Sequence, residues 1–326
     1  MVRFLIIRFS SIGDIVLTTP VVRCLKQQVE GAEVHYVTKK QFKGILEPNP
    51  YVDKVITLDD GLKSLIRVLK DQPYDYIIDL HHNIRTTIIK NRLKRMSFTF
   101  NKINLPKWLM VNFKLNRLPD MHIVDRYMNT LRLFDVENDT QGLDYFIPPS
   151  EEIELNTLPV THQKGYIGWV IGAKHNTKKY PVEHVVEIIK TLNKPVILLG
   201  GPDDNAEAGM IVSQTGPLVY NGCGKYSLNG SASLVRQARV IVSNDTGLMH
   251  IASAFKKPIV SLWGNTIPEF GMYPYLPGEG SHIAEVKGLS CRPCSKIGYQ
   301  KCPKKHFKCM HDIDRERIIE IISGFI

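Results

Sequence analysis

A chain of 326 residues with 43% hydrophobic content is long enough for two domains and can fill two ordinary cores. No apolar run approaches the roughly 18 residues that a membrane span needs, and the short apolar N-terminus, interrupted by Arg8 and Asp14, does not read as a signal peptide. A cytoplasmic protein with reduced thiols is expected.

The net charge of +10 is unevenly placed. Residues 81–119 hold nine Lys/Arg and no acid, and residues 286–311 hold seven more, again with no acid. The other 26 basic residues face all 32 acids, so the rest of the chain is net −6. A basic surface on an otherwise acidic protein attracts a polyanion: nucleic acid, an anionic membrane or a phosphorylated glycolipid.

The first half alternates. Strand-like runs at 2–8, 33–38, 54–58 and 74–80 are separated by helical patterns at 15–29, 39–46 and 62–70, and a further helix fits 121–134. Such alternation predicts a parallel, doubly wound sheet. Residues 143–164, with Pro148, Pro149 and Pro159 among acids, read as a linker. Alternation resumes beyond it, with strands at 166–171, 195–199, 218–220, 240–243 and 258–263. Helices fit 182–192, 205–212, 231–238 and 248–255. The expected domains are 1–150 and 151–326, with a cleft between their C-terminal strand edges.

Four stretches carry chemistry. Ser10–Asp14 is a strand-to-helix turn, the kind that sits at the ligand edge of an open α/β sheet. Asp14 reads either as a carboxylate facing the positive end of its helix or as a general base aimed into a cleft. Burial beside Ile12 and Ile15 is expected to raise its pKa. In the second half, an apolar strand ends in Asn244-Asp245-Thr246-Gly247 and a helix begins at once. The first helical turn offers unpaired N–H groups, the hydroxyl of Thr246 and a glycine that permits close approach, which is a phosphate seat. His250, three residues past Gly247, faces either the same anion or the core. Lys174, Lys178 and Lys179 lie just beyond another strand and suit a diphosphate. Gly200-Gly201-Pro202-Asp203-Asp204 follows a third strand, as a plain turn or as an acid for ribose hydroxyls.

There is no complete Gly-x-Gly-x-x-Gly and no Walker A lysine loop, which disfavours a nicotinamide oxidoreductase or a P-loop NTPase. Cys291, Cys294, Cys302 and Cys309 are spaced C-x2-C-x7-C-x6-C. Four thiols so close in a reducing compartment suggest a structural zinc site; the alternative is reduced cysteines in a loop. Cys24 and Cys223 read as buried packing residues.

The runs Ser-Ser-Ile-Gly-Asp-Ile-Val-Leu-Thr-Thr-Pro at 10–20 and Asn-Asp-Thr-Gly-Leu-Met-His-Ile-Ala-Ser-Ala at 244–254 resemble two hallmarks of the glycosyltransferase family 9 heptosyltransferases. Lys178-Lys179-Tyr180-Pro181 and Gly200-Gly201 fit in the same order. The resemblance spans essentially the whole chain. It implies a GT-B fold, an α/β architecture of two Rossmann-like doubly wound domains facing across a cleft. Residues 1–150 would bind acceptor, and 151–326 the nucleotide sugar, with the cysteine segment at 291–309. It implies ADP-L-glycero-β-D-manno-heptose as donor and the inner core of lipopolysaccharide as acceptor. It makes Asp14 the catalytic base. Lys178, Thr177, Asp204, Asp245, Thr246, Gly247 and His250 become donor ligands, and Ser11, Gly13, His82, Asn83 and Arg85 acceptor ligands. Tyr180 departs from the tryptophan common in the family, and the cysteine tail occurs in only part of it.

The chemistry agrees. Inverting transfer needs a base for the acceptor hydroxyl and cations or N–H dipoles for the departing ADP. Cations and N–H dipoles can serve the departing diphosphate, so catalysis without a metal cofactor is expected, with zinc as a structural ion. The basic 81–119 stretch, with Phe98, Phe100, Trp108 and Leu109 interspersed, suits a phosphorylated glycolipid at the inner face of the inner membrane. Two alternatives are a family 9 transferase of another sugar for another surface glycan and a non-enzymatic basic module for nucleic acid. The second leaves Asp14 and the phosphate seat without a role.

Overall fold

The computed structural model describes residues 1–326. In the first half, β1 (Val2–Ile7) is followed by α1 (Ile12–Val16), α2 (Thr19–Gln28), β2 (Ala32–Lys39) and α3 (Lys43–Leu46). Then come β3 (Lys54–Leu58), α4 (Leu62–Lys70), β4 (Tyr76–Asp79), α5 (Ile84–Leu93) and β5 (Met96–Thr99), and after these α6 (Asn104–Phe113) and α7 (Ile123–Met128). The run 15–29 is two helices because Pro20 lies at the start of α2 and fits only a first turn. The run 121–134 is helical only as far as Met128 and tightens into a 3-10 turn over Asn129–Phe134.

The second half runs β6 (Ile167–Val170), α8 (Val182–Leu192), β7 (Val196–Leu199), α9 (Asn205–Thr215), β8 (Val219–Asn221) and α10 (Leu228–Gln237). It continues through β9 (Val240–Asn244), α11 (Gly247–Ala254), β10 (Ile259–Trp263), β11 (His282–Glu285), α12 (Lys308–His311) and α13 (Arg315–Ser323). The linker region carries only short 3-10 turns.

Both sheets are wholly parallel. The first has the order β3-β2-β1-β4-β5 and the second β11-β10-β9-β6-β7-β8. Central strands such as β6 (Ile-Gly-Trp-Val) and β9 (Val-Ile-Val-Ser-Asn) are buried throughout, as strands covered by helices on both faces must be. Leu5, Ile7, Val37, Leu65, Leu69 and Ile89 build one core, and Trp169, Ile188, Leu198, Val242, Leu262 and Ile318 belong to another. Each fully buried aliphatic side chain contributes roughly 1.5–3 kcal/mol.

The chain divides into two compact units, residues 1–102 with 121–146, and residues 103–120 with 147–326. This corrects the domain reading on one point. Residues 103–120, assigned by sequence to the first domain, belong with the second. Lys107 lies 5.6 Å over the Phe270 ring, and Lys114 Nζ donates to the Pro293 carbonyl at 2.6 Å. No helix of the chain is long and apolar enough to cross a membrane.

Candidate active site

In a parallel sheet the crevice for a ligand opens where the strand order reverses. In the first unit that point lies between β1 and β4. The turns after these two strands are 8–14 and 80–85. Arg8 ties them together, donating from Nη1 to the Leu80 carbonyl at 2.6 Å and to the Tyr127 hydroxyl at 3.0 Å, and from Nε to the Ser10 carbonyl at 2.8 Å. Its remaining nitrogen, Nη2, meets Asp14 Oδ1 at 2.5 Å. Asp14 Oδ2 accepts from Ser11 N at 3.0 Å and Ser11 Oγ at 2.7 Å. Burial alone would raise the Asp14 carboxyl, but the Arg8 guanidinium and the two Ser11 bonds outweigh it and hold the pKa below the ordinary value. The expectation of a raised pKa is thus overturned, because it left Arg8 out. His81 is pushed down to about 4, first by burial and then by the charges of Arg8 and Lys102, so its ring is neutral at pH 7.

The acceptor candidates separate. Ser11 is exposed and spends its hydroxyl on Asp14, and Gly13 is buried in α1. His82 is exposed, its amide held by Asp79 Oδ1 at 2.7 Å. Asn83 is a helix cap, with its side-chain oxygen accepting from Thr86 N at 3.0 Å. Arg85 is exposed and lines an open groove of about 880 Å³ with Lys39, Lys40, Asp59, Asp60 and Leu62. The side-chain oxygen of Asn83 thus has a structural role, which α5 needs for its first turn.

In the second unit the order reverses between β6 and β9. The turns there are 171–181 and 245–247, and Asn244 joins them. Its amide donates to the Ile171 carbonyl at 2.9 Å, and its oxygen accepts from Tyr180 N at 3.1 Å. This brings Lys178 onto Asp245, with Lys178 Nζ paired to Asp245 Oδ2. Thr266 Oγ1 donates to the same oxygen at 3.0 Å. Thr246 caps α11 in an extended conformation; its hydroxyl oxygen is buried without a hydrogen-bond partner. Gly247 opens the helix. A cation, a hydroxyl and the N-terminus of α11 thus converge where a diphosphate can sit.

Two expected donor ligands have partners elsewhere. Thr177 is 3% exposed, and its hydroxyl donates to the Tyr299 carbonyl at 2.9 Å and accepts from Tyr299 N at 2.8 Å. Asp204 is buried, accepts from Gly201 N at 2.9 Å and pairs with Lys179 at 2.8 Å. A Cβ at Gly172 would lie 2.3 Å from the Asp204 carboxylate, which explains a glycine there. Lys179 also meets Glu207 at 2.9 Å, so it does not join Lys178 at the seat. His250 is buried.

Arg8, Asn244, Thr266 and Arg292 had been passed over as functional residues. The signal for Arg8 and Asn244 was available: a cation or an amide ending an otherwise apolar strand needs a specific partner. Arg292 is 9% exposed and donates to the carbonyls of Gly264 at 2.6 Å and Thr266 at 2.9 Å, and to Glu285 Oε2 at 2.6 Å. Together with the Tyr299–Thr177 bonds, it makes the cysteine segment a brace behind the loops that hold Lys178 and Asp245.

The cysteines are free thiols. Cys294 is pushed up to about 11 and Cys309 to about 12, in each case first by burial and then by neighbouring thiols of the cluster. Cys294 Sγ donates to the Cys291 carbonyl at 3.0 Å. Cys291 Sγ lies 3.7 Å from His306 Nε2. The ligand atoms that converge within 4.8 Å are nevertheless those of Glu183, His184 and His311, not the thiols.

Two parallel Rossmann-like units with functional turns at their strand-order reversals make a GT-B glycosyltransferase fold. A crystal structure of a family 9 glycosyl transferase from Veillonella parvula DSM 2008 matches it with a TM-score of 0.80 at 23% identity, over 99% of this chain and 96% of that one. An Escherichia coli heptosyltransferase solved with ADP matches with a TM-score of 0.71 at 21% identity, over 99% and 100% of the two chains.

Sequence comparison narrows the class. The profile of glycosyltransferase family 9 (heptosyltransferase) matches residues 62–301, and the chain belongs to that family. The lipopolysaccharide heptosyltransferase 1 of Campylobacter coli is 25% identical over 288 residues, covering 81% of this chain and 84% of that protein.

Proposed function

We propose that this glycosyltransferase moves heptose from ADP-L-glycero-β-D-manno-heptose to the inner core of lipopolysaccharide, with inversion. The observation that carries the reading is the Lys178–Asp245 pair at the start of α11, a cation and a helix N-terminus ready for a leaving diphosphate. The Campylobacter coli relative and the Escherichia coli structure named above are heptosyltransferases, and the latter holds ADP.

In the reaction, the acceptor hydroxyl oxygen forms a bond to the anomeric carbon while the bond from that carbon to the diphosphate oxygen breaks. Asp14 takes the hydroxyl proton. ADP leaves with the bonding electron pair, stabilised by Lys178 and the first N–H groups of α11. Lys178 has three donors, so it can retain Asp245 and reach a phosphate oxygen. Arg85, with its groove, is the best-placed acceptor residue.

The enzyme works in the cytoplasm against the inner face of the membrane. Supporting this are α6, which buries no residue, and its exposed Leu105, Trp108 and Phe113. Lys114 holds α6 to the cysteine segment, whose own Ile297 and Tyr299 are exposed among lysines. Cations around exposed aromatic and aliphatic groups suit an anionic lipid interface. Cys291, Cys294, Cys302 and Cys309 would hold a structural zinc, whose binding would displace the thiol protons.

Mass analysis of products from ADP-heptose and truncated lipopolysaccharide acceptors tests the reading. Addition of one heptose supports it. Transfer only from another nucleotide sugar would favour the alternative family 9 donor.

A further inference from the structure

Glu183 and His184 lie in the first turn of α8, and His311 ends α12. His184 Nε2 is 3.1 Å from His311 Nδ1, Glu183 Oε1 is 3.8 Å from the same nitrogen, and all three ligand atoms lie within 4.8 Å of one another. A tetrahedral ion with bonds of about 2.0–2.2 Å needs its ligand atoms roughly 3.2–3.6 Å apart, so small side-chain rotations would complete the set. None of these residues belongs to the donor loops or the cysteine cluster.

The surroundings favour a metal over a bare contact between two rings. His184 turns its other nitrogen, Nδ1, toward Glu187 Oε2 at 3.7 Å, and Arg315 Nε holds that carboxylate at 3.1 Å. The His184–Glu187 contact is too long for a hydrogen bond, but a small rotation would bring the carboxylate behind the ring, where it would fix the tautomer that presents Nε2 as a ligand. The rings are also packed. His184 lies 5.7 Å from the Tyr180 ring and His311 lies 5.6 Å from Phe307. The Glu183 side chain remains 65% exposed, leaving an open side for water as a fourth ligand.

We propose that Glu183, His184 and His311 form a site for a divalent transition metal of the zinc class, separate from any ion at the cysteines. Two imidazoles and one carboxylate suit zinc, nickel or copper better than magnesium or calcium. The ion would clip α12, the end of the cysteine segment, to α8, the helix that follows the Lys178 loop.

Full-length protein stripped with a chelator is titrated with zinc and with cobalt, and crystals soaked in zinc are measured at the zinc edge. The expected result is an anomalous peak between the two rings and Glu183, and a cobalt site without sulfur-to-metal charge transfer. His184→Gln and His311→Gln should abolish that peak and site, yet melt like wild type in the metal-free state. Glu187→Gln should weaken zinc at this site about 10–100-fold, as loss of a carboxylate behind a histidine ligand does. Absence of the peak in wild type overturns the proposal, as does cobalt binding solely with sulfur charge transfer. Equal zinc uptake by wild type and both histidine variants overturns it too.

Discussion

Arg8 and Asp14 form one unit, joined at 2.5 Å, with Arg8 spending its other nitrogens on the carbonyls of Ser10 and Leu80 and on Tyr127. The consequence is a carboxylate that stays charged at neutral pH in spite of its burial. Such a group is a weak base toward a free hydroxyl. In the proposed reaction it would suffice, because the acceptor oxygen becomes strongly acidic as its bond to the anomeric carbon forms. Proton transfer is then late, and the pair holds the negative charge in place until it is needed.

Arg8→Gln removes the main force that lowers the Asp14 pKa and leaves burial, which raises it. The acid limb of the pH–rate profile should therefore move to higher pH than in wild type. An unmoved limb would show that another group limits the rate in acid. The variant should also melt lower, since removing one member of a buried ion pair typically costs about 3–5 kcal/mol and Asp14 is partly exposed, which reduces that figure.

Lys178→Ala should weaken ADP far more than adenosine, which has no phosphate to lose. A charge-assisted hydrogen bond contributes about 1.5–3 kcal/mol, or roughly ten- to a hundredfold in affinity. Calorimetry with the two ligands decides it. Equal losses for both would mean a distorted loop, which is a real possibility to test because Lys178 also anchors Asp245.

What the sequence revealed was local. Apolar runs bounded by turn residues marked nine of the eleven strands, and β1 and β9 pointed to the turns with Asp14 and Asp245. The two strands passed over, β5 (Met-Ser-Phe-Thr) and β11 (His-Ile-Ala-Glu), are short edges without a continuous apolar run. The partners that the local pattern does not show are distant ones. Thr177 is claimed by Tyr299, 122 positions away, and α6 leaves its sequence neighbours for a carbonyl 179 positions from Lys114. Nothing in the local pattern announces such a partner, so a hydroxyl beside a lysine looked like a ligand. The partner of Asp204 was hidden for a nearer reason, since its pairing with Lys179 links two strand-end turns that only the folded sheet brings side by side.

If the cysteines hold zinc, metal analysis should detect an ion that survives His184→Gln and His311→Gln, and a chelator should lower the melting temperature of those variants. The effect should reach the donor site. Arg292 and Tyr299 lie in the cysteine segment and hold the loops of Thr266 and Thr177, so chelation should also weaken ADP. Metal-free variants of unchanged stability would leave the segment as a loop of reduced thiols.

Trp108→Ala with Phe113→Ala should reduce flotation with anionic vesicles and leave ADP affinity unchanged. Arg92, Lys94 and Arg95 changed to Gln test the first unit in the same assay. Each cation near an anionic surface is worth about 1 kcal/mol, so the triple change should cost up to a hundredfold or more in partitioning and should respond to salt. Binding to neutral vesicles of equal strength would remove the electrostatic part of the reading.

Asp14→Asn separates the two roles of this residue. Asparagine can still accept from Ser11 and offer an oxygen to Arg8, so the turn should persist, but the ion pair is lost. The wild-type carboxyl lies below its ordinary value of 3.8, so its pairing stabilises the fold above that pH, and the contribution fades as pH falls through the lowered pKa. Wild type should thus exceed Asp14→Asn in melting temperature at neutral pH, with the gap closing on acidification below about 3.8. Turnover should fall by more than this modest destabilisation explains, about 10²–10⁴-fold for a lost general base. ADP affinity should stay near wild type, since its proposed ligands are Lys178 and the start of α11. The double variant Arg8→Gln with Asp14→Asn removes both charges and should recover part of the stability without recovering turnover. Near-normal turnover in Asp14→Asn would refute the base assignment, and recovery of activity in the double variant would make Asp14 merely the anchor of Arg8.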